Sequence, residues 1–142
     1  FISGSSLYLE AFVQKARTYI YTTAMPPSLA VTMTKAIELV INGIEQRENL
    51  YSLIKFYKES MRHANLRAHE SISHIQPYIV GNAKKAVELS EALYRNKLLV
   101  IAIRPPTIPK NTSRLRVSLT AIHDKKQVTC LVQNIKNKSD NE

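Results

Sequence analysis

The chain has 142 residues, of which 44 % are hydrophobic and 22 % are charged, so it is neither disordered nor collagen-like. Its three glycines are too few and too scattered for a glycine-rich phosphate loop or a dinucleotide fingerprint. The net charge of +9 is uneven, because residues 73–142 carry 12 basic and 5 acidic residues whereas residues 1–72 carry 8 and 6. Such a basic half is compatible with nucleic acid, a membrane surface or an anionic small molecule as partner.

Cysteine and histidine provide no metal site in the sequence. Cys130 is the only cysteine, which excludes an intrachain disulfide and a site built from cysteines. The four histidines (His63, His69, His74 and His123) have no metal-ligand spacing. The longest apolar run, residues 98–103, is far too short to span a membrane. We therefore expect no metal, no membrane partner and a cytoplasmic location.

The first half of the chain shows three apolar stripes with the spacing of amphipathic helices. The first stripe predicts a helix with Ser6 as its N-cap. Pro26 and Pro27 favour the start of a second helix, because the N–H that proline lacks has no partner in a first helical turn. Asn42 and Gly43 follow, and the pattern fits either two further helices or one long kinked helix. The stripes are Leu9, Phe12, Val13, Ala16 and Ile20; Leu29, Met33, Ala36, Ile37, Val40, Ile41 and Ile44; and Leu50, Leu53, Ile54, Tyr57, Met61 and Ala64.

The second half alternates strands and helices. Residues 75–80 resemble a strand in which Pro77 marks an edge or a strand start, and a helix follows the turn at Gly81. The continuous apolar run 98–103 predicts a strand covered on both faces. Asp124, with a glutamine three residues later, predicts the capping box of a last helix. This order predicts an α/β fold, a small sandwich of one sheet with helices packed on it, preceded by long connector helices.

Two arginines on one strand are the best candidates for binding chemistry. Residues 114–119 alternate strictly, which puts Arg114 and Arg116 on the face opposite Leu115 and its apolar neighbours. Such a face is either simply solvated or shares an anion, because arginine grips a carboxylate with two parallel hydrogen bonds. The loop before the strand contains three prolines, which stiffen it and favour a role in placing a ligand.

Several segments resemble one enzyme family. The segments 102–109 (AIRPPTIP) and 113–123 (SRLRVSLTAIH) closely resemble the α-oxoamine synthases, which are pyridoxal-phosphate enzymes of fold type I. The segments 1–5 (FISGS), 21–27 (YTTAMPP) and 75–81 (IQPYIVG) agree, so the resemblance covers about residues 1–135. It points to the branch that condenses L-alanine with a pimeloyl thioester, on CoA or on a carrier protein, in biotin biosynthesis.

The resemblance also implies a domain organisation. Residues 1–26 would end the large cofactor-binding domain, residues 27–66 would form a connector helix or helix pair, and residues 67–142 would form the small C-terminal domain. The family's enzymes are homodimers. The Schiff-base lysine is expected upstream of Phe1, so no catalytic residue is assigned to this chain, and the chain alone is expected to be inactive.

Five residues carry roles that the resemblance implies. Arg116 matches the arginine that holds the amino-acid carboxylate, and Thr107 matches a threonine that contacts substrate. Arg104 is expected at the entrance for the acyl chain. Thr22 and Thr23 match the segment that reaches the cofactor phosphate of the neighbouring subunit, and which of the two does so stays open.

Two other functions remain alternatives at this stage. A glycine C-acyltransferase of the same family keeps the Arg-x-Arg pattern but usually varies the Arg-Pro-Pro element. A small basic nucleic-acid-binding module would account for the charge of residues 73–142. The sequence shows neither a basic recognition helix nor an aromatic-studded basic strand, which disfavours nucleic acid as the partner.

Overall fold

A computed structural model describes residues 2–139 of the chain. The first residue of the predicted segment 1–26 and the last three of the predicted segment 67–142 lie outside the described residues. The chain divides into two compact units on either side of the bond between Asn42 and Gly43. This division falls inside the predicted connector of residues 27–66.

The first unit consists of three helices, α1 Ser6–Lys15, α2 Arg17–Ile20 and α3 Pro27–Asn42. The prediction of one helix across the first stripe is wrong, because Ala16 adopts an extended conformation (ψ 100°) between α1 and α2. The predicted N-cap is also displaced: Ser5 is the cap of α1, and Ser6 is its first helical residue. None of the described residues of this unit is buried.

The second unit is a three-stranded antiparallel sheet with helices on one face, the small α/β fold predicted from the sequence. The strand order is β1–β3–β2, so the last strand in sequence is central. Helix α5 lies against all three strands and against α6, which in turn packs on α4. The elements are α4 Ile44–His63, β1 Ile75–Gly81, α5 Ala83–Arg95, β2 Ile101–Ile103, β3 Ser113–Ser118 and α6 Lys125–Ser139.

The core lies between the sheet and the helices of the second unit. Leu115 and Val117 of β3, with Leu119 just beyond it, supply the side chains from the sheet, as their alternation predicts. Apolar side chains of α4, α5 and α6 pack against them from the helical layer. The core residues from the helices are Leu53, Ile54, Tyr57, Met61, Leu89, Leu93, Val128, Leu131, Val132 and Ile135.

The structure of the second unit tests three predictions about local features of the sequence. The predicted capping box is present: the backbone N–H of Asp124 donates to Gln127 Oε1 at 2.9 Å, and that of Gln127 donates to Asp124 Oδ1 at 2.7 Å. Pro77 lies on the edge strand β1, where a missing N–H costs no ladder hydrogen bond. The prediction for residues 98–103 is wrong, because only Ile101–Ile103 form a strand and that strand is the other edge of the sheet.

Candidate active site

The two arginines lie on the open face of the sheet. In the register of β3, Arg116 faces Pro77 of β1 and Ile101 of β2, and Arg114 faces Ile79 and Ile103. Directly paired residues share a face, so these six side chains are opposite the core. Ile79 and Ile101 are 44 % and 57 % exposed, which shows that no helix among the described residues of the second unit covers this face.

The two arginines differ in their partners. Arg116 is exposed, and its guanidinium has no hydrogen-bond or ion-pair partner among residues 2–139. Arg114 is half-buried, and its Nε donates to the backbone carbonyl of Thr112 at 3.0 Å. Arg116 therefore offers its whole planar fork to a ligand, whereas part of the Arg114 guanidinium is already in use.

The loop of residues 104–112 joins β2 to β3 beside this face. The backbone N–H of Thr107 donates to the carbonyl of Arg104 at 3.1 Å, which closes a turn around Pro105 and Pro106. The peptide bond between these prolines is cis, and a turn with cis-proline in its third position is of type VI. The side chains of Arg104 and Thr107 are exposed at this turn.

The end of the loop packs closely against β1. Asn111 has a φ of 63°, and its carbonyl oxygen would lie 3.6 Å from a Cβ added to Gly81. Gly81 itself has a φ of 84°, a left-handed conformation that strains any residue with a side chain. Gly81 thus allows β1 to end beside the loop, and it pairs with Ser113 at the start of β3.

Thr22 and Thr23 belong to the first unit. They follow α2 in the non-helical segment before α3, and the backbone N–H of Thr22 donates to the carbonyl of Tyr19 at 3.4 Å. Both threonines are exposed, and neither hydroxyl has a partner among the described residues. The two hydroxyls are therefore available to donate to an anion.

One buried polar group stands apart from the open face. Tyr57 of α4 is 1 % exposed, and its hydroxyl has no hydrogen-bond partner among residues 2–139. Burial raises the pKa of the Tyr57 phenol far above its ordinary value, and the nearby phenol of Tyr78 raises it further. Tyr57 faces the core, so it belongs to the packing rather than to the candidate site.

Sequence reasoning missed the difference between the two arginines. Alternation treats Arg114 and Arg116 alike, because it fixes only the face of each side chain. The position of Arg114 two residues after Thr112, the last residue of the loop, was the signal that a side-chain to backbone bond could form there.

The described residues form neither a metal-binding cluster nor a helix that could span a membrane. Residues 2–139 contain no group of three or more His, Cys, Asp or Glu side chains that could hold a metal ion. Among the helices that they form, none combines the length and the apolar character that a membrane span needs.

Comparison with known families assigns the chain to a class. The family described as aminotransferase class I and II matches residues 1–135, nearly the whole sequence. The chain belongs to this family.

Curated relatives of one particular enzyme are similar in sequence to the chain. The chain is 46 % identical over 132 residues to the 8-amino-7-oxononanoate synthase of Pseudomonas entomophila, a match that covers 93 % of this chain and 34 % of the relative. It is 42 % identical over 133 residues to the enzyme of the same name from Thioalkalivibrio sulfidiphilus, covering 94 % and 34 %. The chain thus spans about a third of the length of the curated relatives it matches. These identities confirm the resemblance predicted from the five segments.

Solved structures agree with the assignment. The 8-amino-7-oxononanoate synthase of Francisella tularensis superposes with a TM-score of 0.84 at 28 % identity, covering 96 % of this chain and 40 % of that one. A variant of serine palmitoyltransferase from S. paucimobilis, with a bound PLP–myriocin aldimine, gives a TM-score of 0.86 at 27 % identity, covering 99 % of this chain and 35 % of that one. The predicted fold, a small α/β domain of a fold-type I enzyme, is therefore confirmed.

Proposed function

We propose that this chain is part of an 8-amino-7-oxononanoate synthase, a pyridoxal-phosphate-dependent acyltransferase of biotin biosynthesis. The reaction joins the α-carbon of L-alanine to the acyl carbon of a pimeloyl thioester, breaks the thioester bond and releases the carboxylate as CO2. Identities of 42–46 % to curated enzymes of this name support this substrate pair.

One observation carries the proposal: the guanidinium of Arg116 lies on the open sheet face and has no partner among residues 2–139. A planar guanidinium with all its donors available fits the carboxylate of an amino acid through two parallel hydrogen bonds. Arg116 lies in the segment 113–123, whose resemblance to the family first indicated this role. Its work would be to bind the carboxylate and to orient the α-carbon for bond formation.

The loop of residues 104–112 is proposed to form the acyl side of the site. Thr107 presents its hydroxyl on an exposed turn that the flanking prolines stiffen, so it can donate to or accept from a substrate at little cost in entropy. Arg104 begins the same turn and is exposed beside it. A cation there fits the entrance taken by an anionic thioester.

The cofactor is proposed to be pyridoxal phosphate, and the first unit supplies donors that suit its phosphate. Thr22 and Thr23 are exposed hydroxyl residues, adjacent in sequence and without side-chain partners among residues 2–139, and hydroxyls donate readily to phosphate oxygens. When bound, the cofactor supplies an electron sink for chemistry at the amino-acid α-carbon. The residues that would hold its ring are not among those we assign to this chain, and the lysine that anchors it is proposed to lie upstream of Phe1.

The assembly is proposed to be a cytoplasmic homodimer, as the resemblance implies. In it, residues 1–26 end the large domain, residues 27–66 connect, and residues 67–142 form the small domain. The apolar side chains on α1 and α3 support this arrangement, because they are exposed in the chain and monomers rarely expose such large apolar patches. The threonines would reach the phosphate bound by the partner subunit.

The test is a substrate comparison with the full-length protein. L-alanine with pimeloyl-CoA, and separately with a pimeloyl carrier protein, should yield 8-amino-7-oxononanoate and CO2. Matched reactions pair glycine with acetyl-CoA and L-serine with palmitoyl-CoA. Turnover of glycine or serine without turnover of alanine would contradict the proposal. The 142-residue chain alone should show no activity in any of these assays.

A further inference from the structure

The proline-rich loop has few internal means of holding its shape. None of residues 104–112 is buried. Pro105, Pro106 and Pro109 have no N–H, so the loop has fewer backbone donors to pair with its carbonyls. Side-chain donors add to the turn between Arg104 and Thr107 in holding the loop.

Two side-chain donors form a continuous connection from β3 into this loop. Arg114 Nε donates to the carbonyl of Thr112 at 3.0 Å, and Thr112 Oγ1 donates to the carbonyl of Pro109 at 2.8 Å. Arg114 is anchored in turn, because β3 is the central strand and residues on both neighbours, Ile79 and Ile103, pair with it. The connection thus runs from the most constrained strand of the sheet to the middle of the loop.

From this connection we infer that Arg114 is a positioning residue, which holds the loop of residues 104–112 in place through its Nε–H rather than binding substrate through its charge. The consequence for catalysis rests on the proposed function, in which Thr107 and Arg104 of this loop contact the thioester substrate. The two arginines of β3 then have separate tasks: Arg116 binds the carboxylate, and Arg114 fixes the loop beside it.

A matched pair of substitutions separates the donor from the charge. Arg114→Gln places a side-chain N–H four bonds from Cα, where Arg has its Nε, but removes the charge. Arg114→Met has the same length and no donor. Arg116→Met is the control, because it removes the neighbouring guanidinium without touching the connection to Thr112.

The first measurement is backbone amide hydrogen exchange in the full-length protein without substrate, followed at Thr107, whose N–H donates to the Arg104 carbonyl, and at the other non-proline residues up to 113. Arg114→Met should speed exchange roughly threefold to tenfold, which lies within the range for loss of one hydrogen bond. Arg114→Gln and Arg116→Met should stay within about twofold of the unsubstituted protein. The second measurement is kcat/KM for the pimeloyl thioester, which should fall in Arg114→Met and be largely restored in Arg114→Gln.

Equal exchange in Arg114→Gln and Arg114→Met, or no change in Arg114→Met, would overturn the inference. An equal fall in kcat/KM in Arg114→Gln and Arg114→Met would overturn it as well. Both substitutions remove the charge, and only Arg114→Met removes the donor, so equal losses would mean that the charge is what matters. If the protein turns over none of the substrates, the proposed function fails, while the exchange pattern still decides whether Arg114 holds the loop.

Discussion

Replacing Arg116 by alanine in the full-length protein should weaken binding of L-alanine much more than use of the pimeloyl thioester. Arg116 has no partner among residues 2–139, so the substitution breaks no contact within the described part of the chain. It removes only the donors offered to a ligand. The loss should therefore appear in substrate affinity and leave the stability of the protein almost unchanged.

The size of the loss follows from the geometry of the open face. Leaving one charge of a desolvated pair unpartnered costs about 2–5 kcal/mol. We therefore expect a loss of about 2–5 kcal/mol, or a Kd for alanine that is roughly 30-fold to several thousand-fold weaker. Arg114 lies two residues along the strand, about 7 Å away, which is beyond hydrogen-bond reach of the same carboxylate oxygens. It cannot replace the lost bonds.

The affinity for L-alanine can be read from the spectral change of the cofactor-loaded enzyme, and the thioester's apparent affinity from turnover. Arg116→Lys should recover only part of the loss, since an ammonium cannot offer two parallel donors. Arg114→Gln is the control, because it removes a charge from the same face and keeps a donor to the loop.

Two results would refute this reasoning. Equal losses of alanine affinity in Arg116→Ala and Arg114→Gln would mean that general positive charge, not a specific fork, holds the carboxylate. A loss confined to the thioester would mean that Arg116 serves the acyl substrate and that the carboxylate is bound elsewhere.

Further predictions concern the second unit, each checked by urea denaturation followed by circular dichroism. Tyr57→Phe should preserve or raise the free energy of unfolding, by up to about 2 kcal/mol, because it removes a buried hydroxyl without a partner among the described residues. Burial raises the pKa of Tyr57 in the folded state, whereas the unfolded state keeps the ordinary value of about 10. Below pH ~10 the phenol is neutral in both states, so the free energy of unfolding does not depend on its titration. Above pH ~10 only the unfolded state loses the proton, and the free energy of unfolding of the unsubstituted protein should fall by about 1.4 kcal/mol per pH unit relative to Tyr57→Phe. Asp124→Ala should cost about 0.5–2 kcal/mol through loss of the cap, and a cost near zero would show that the cap is not needed. Leu115→Ala should cost about 2–5 kcal/mol, because Leu115 is fully buried on the central strand.

Local patterns predicted the second unit well where one interaction decides the outcome. The alternation in residues 114–119 assigns Leu115 and Val117 to the core because side chains of a strand point alternately to its two faces. Asp124 and Gln127 form their capping box because both partners lie within one helical turn. In these cases the residues that decide the outcome are close together in the sequence, so the sequence alone predicts the contact.

Properties that depend on contacts between segments far apart in the sequence could not be predicted from it. Residues 98–103 were predicted as a buried strand, but Leu99 is 79 % exposed and β2 is an edge strand. The reason is the strand order, in which β3 lies between β1 and β2, and periodicity within one segment cannot encode which segment becomes its neighbour.

The helices of the first unit show what periodicity does and does not establish. The stripe on α3 predicts a helix, and α3 is present, yet Met33, Ile37 and Val40 are each more than half exposed. Periodicity thus identifies a face suited to burial and says nothing of what buries it. On the proposed function, that face packs against the rest of a longer enzyme and its second subunit. The isolated 142-residue chain should then self-associate in sedimentation velocity, and a clean monomer at high concentration would argue against this assignment of the face.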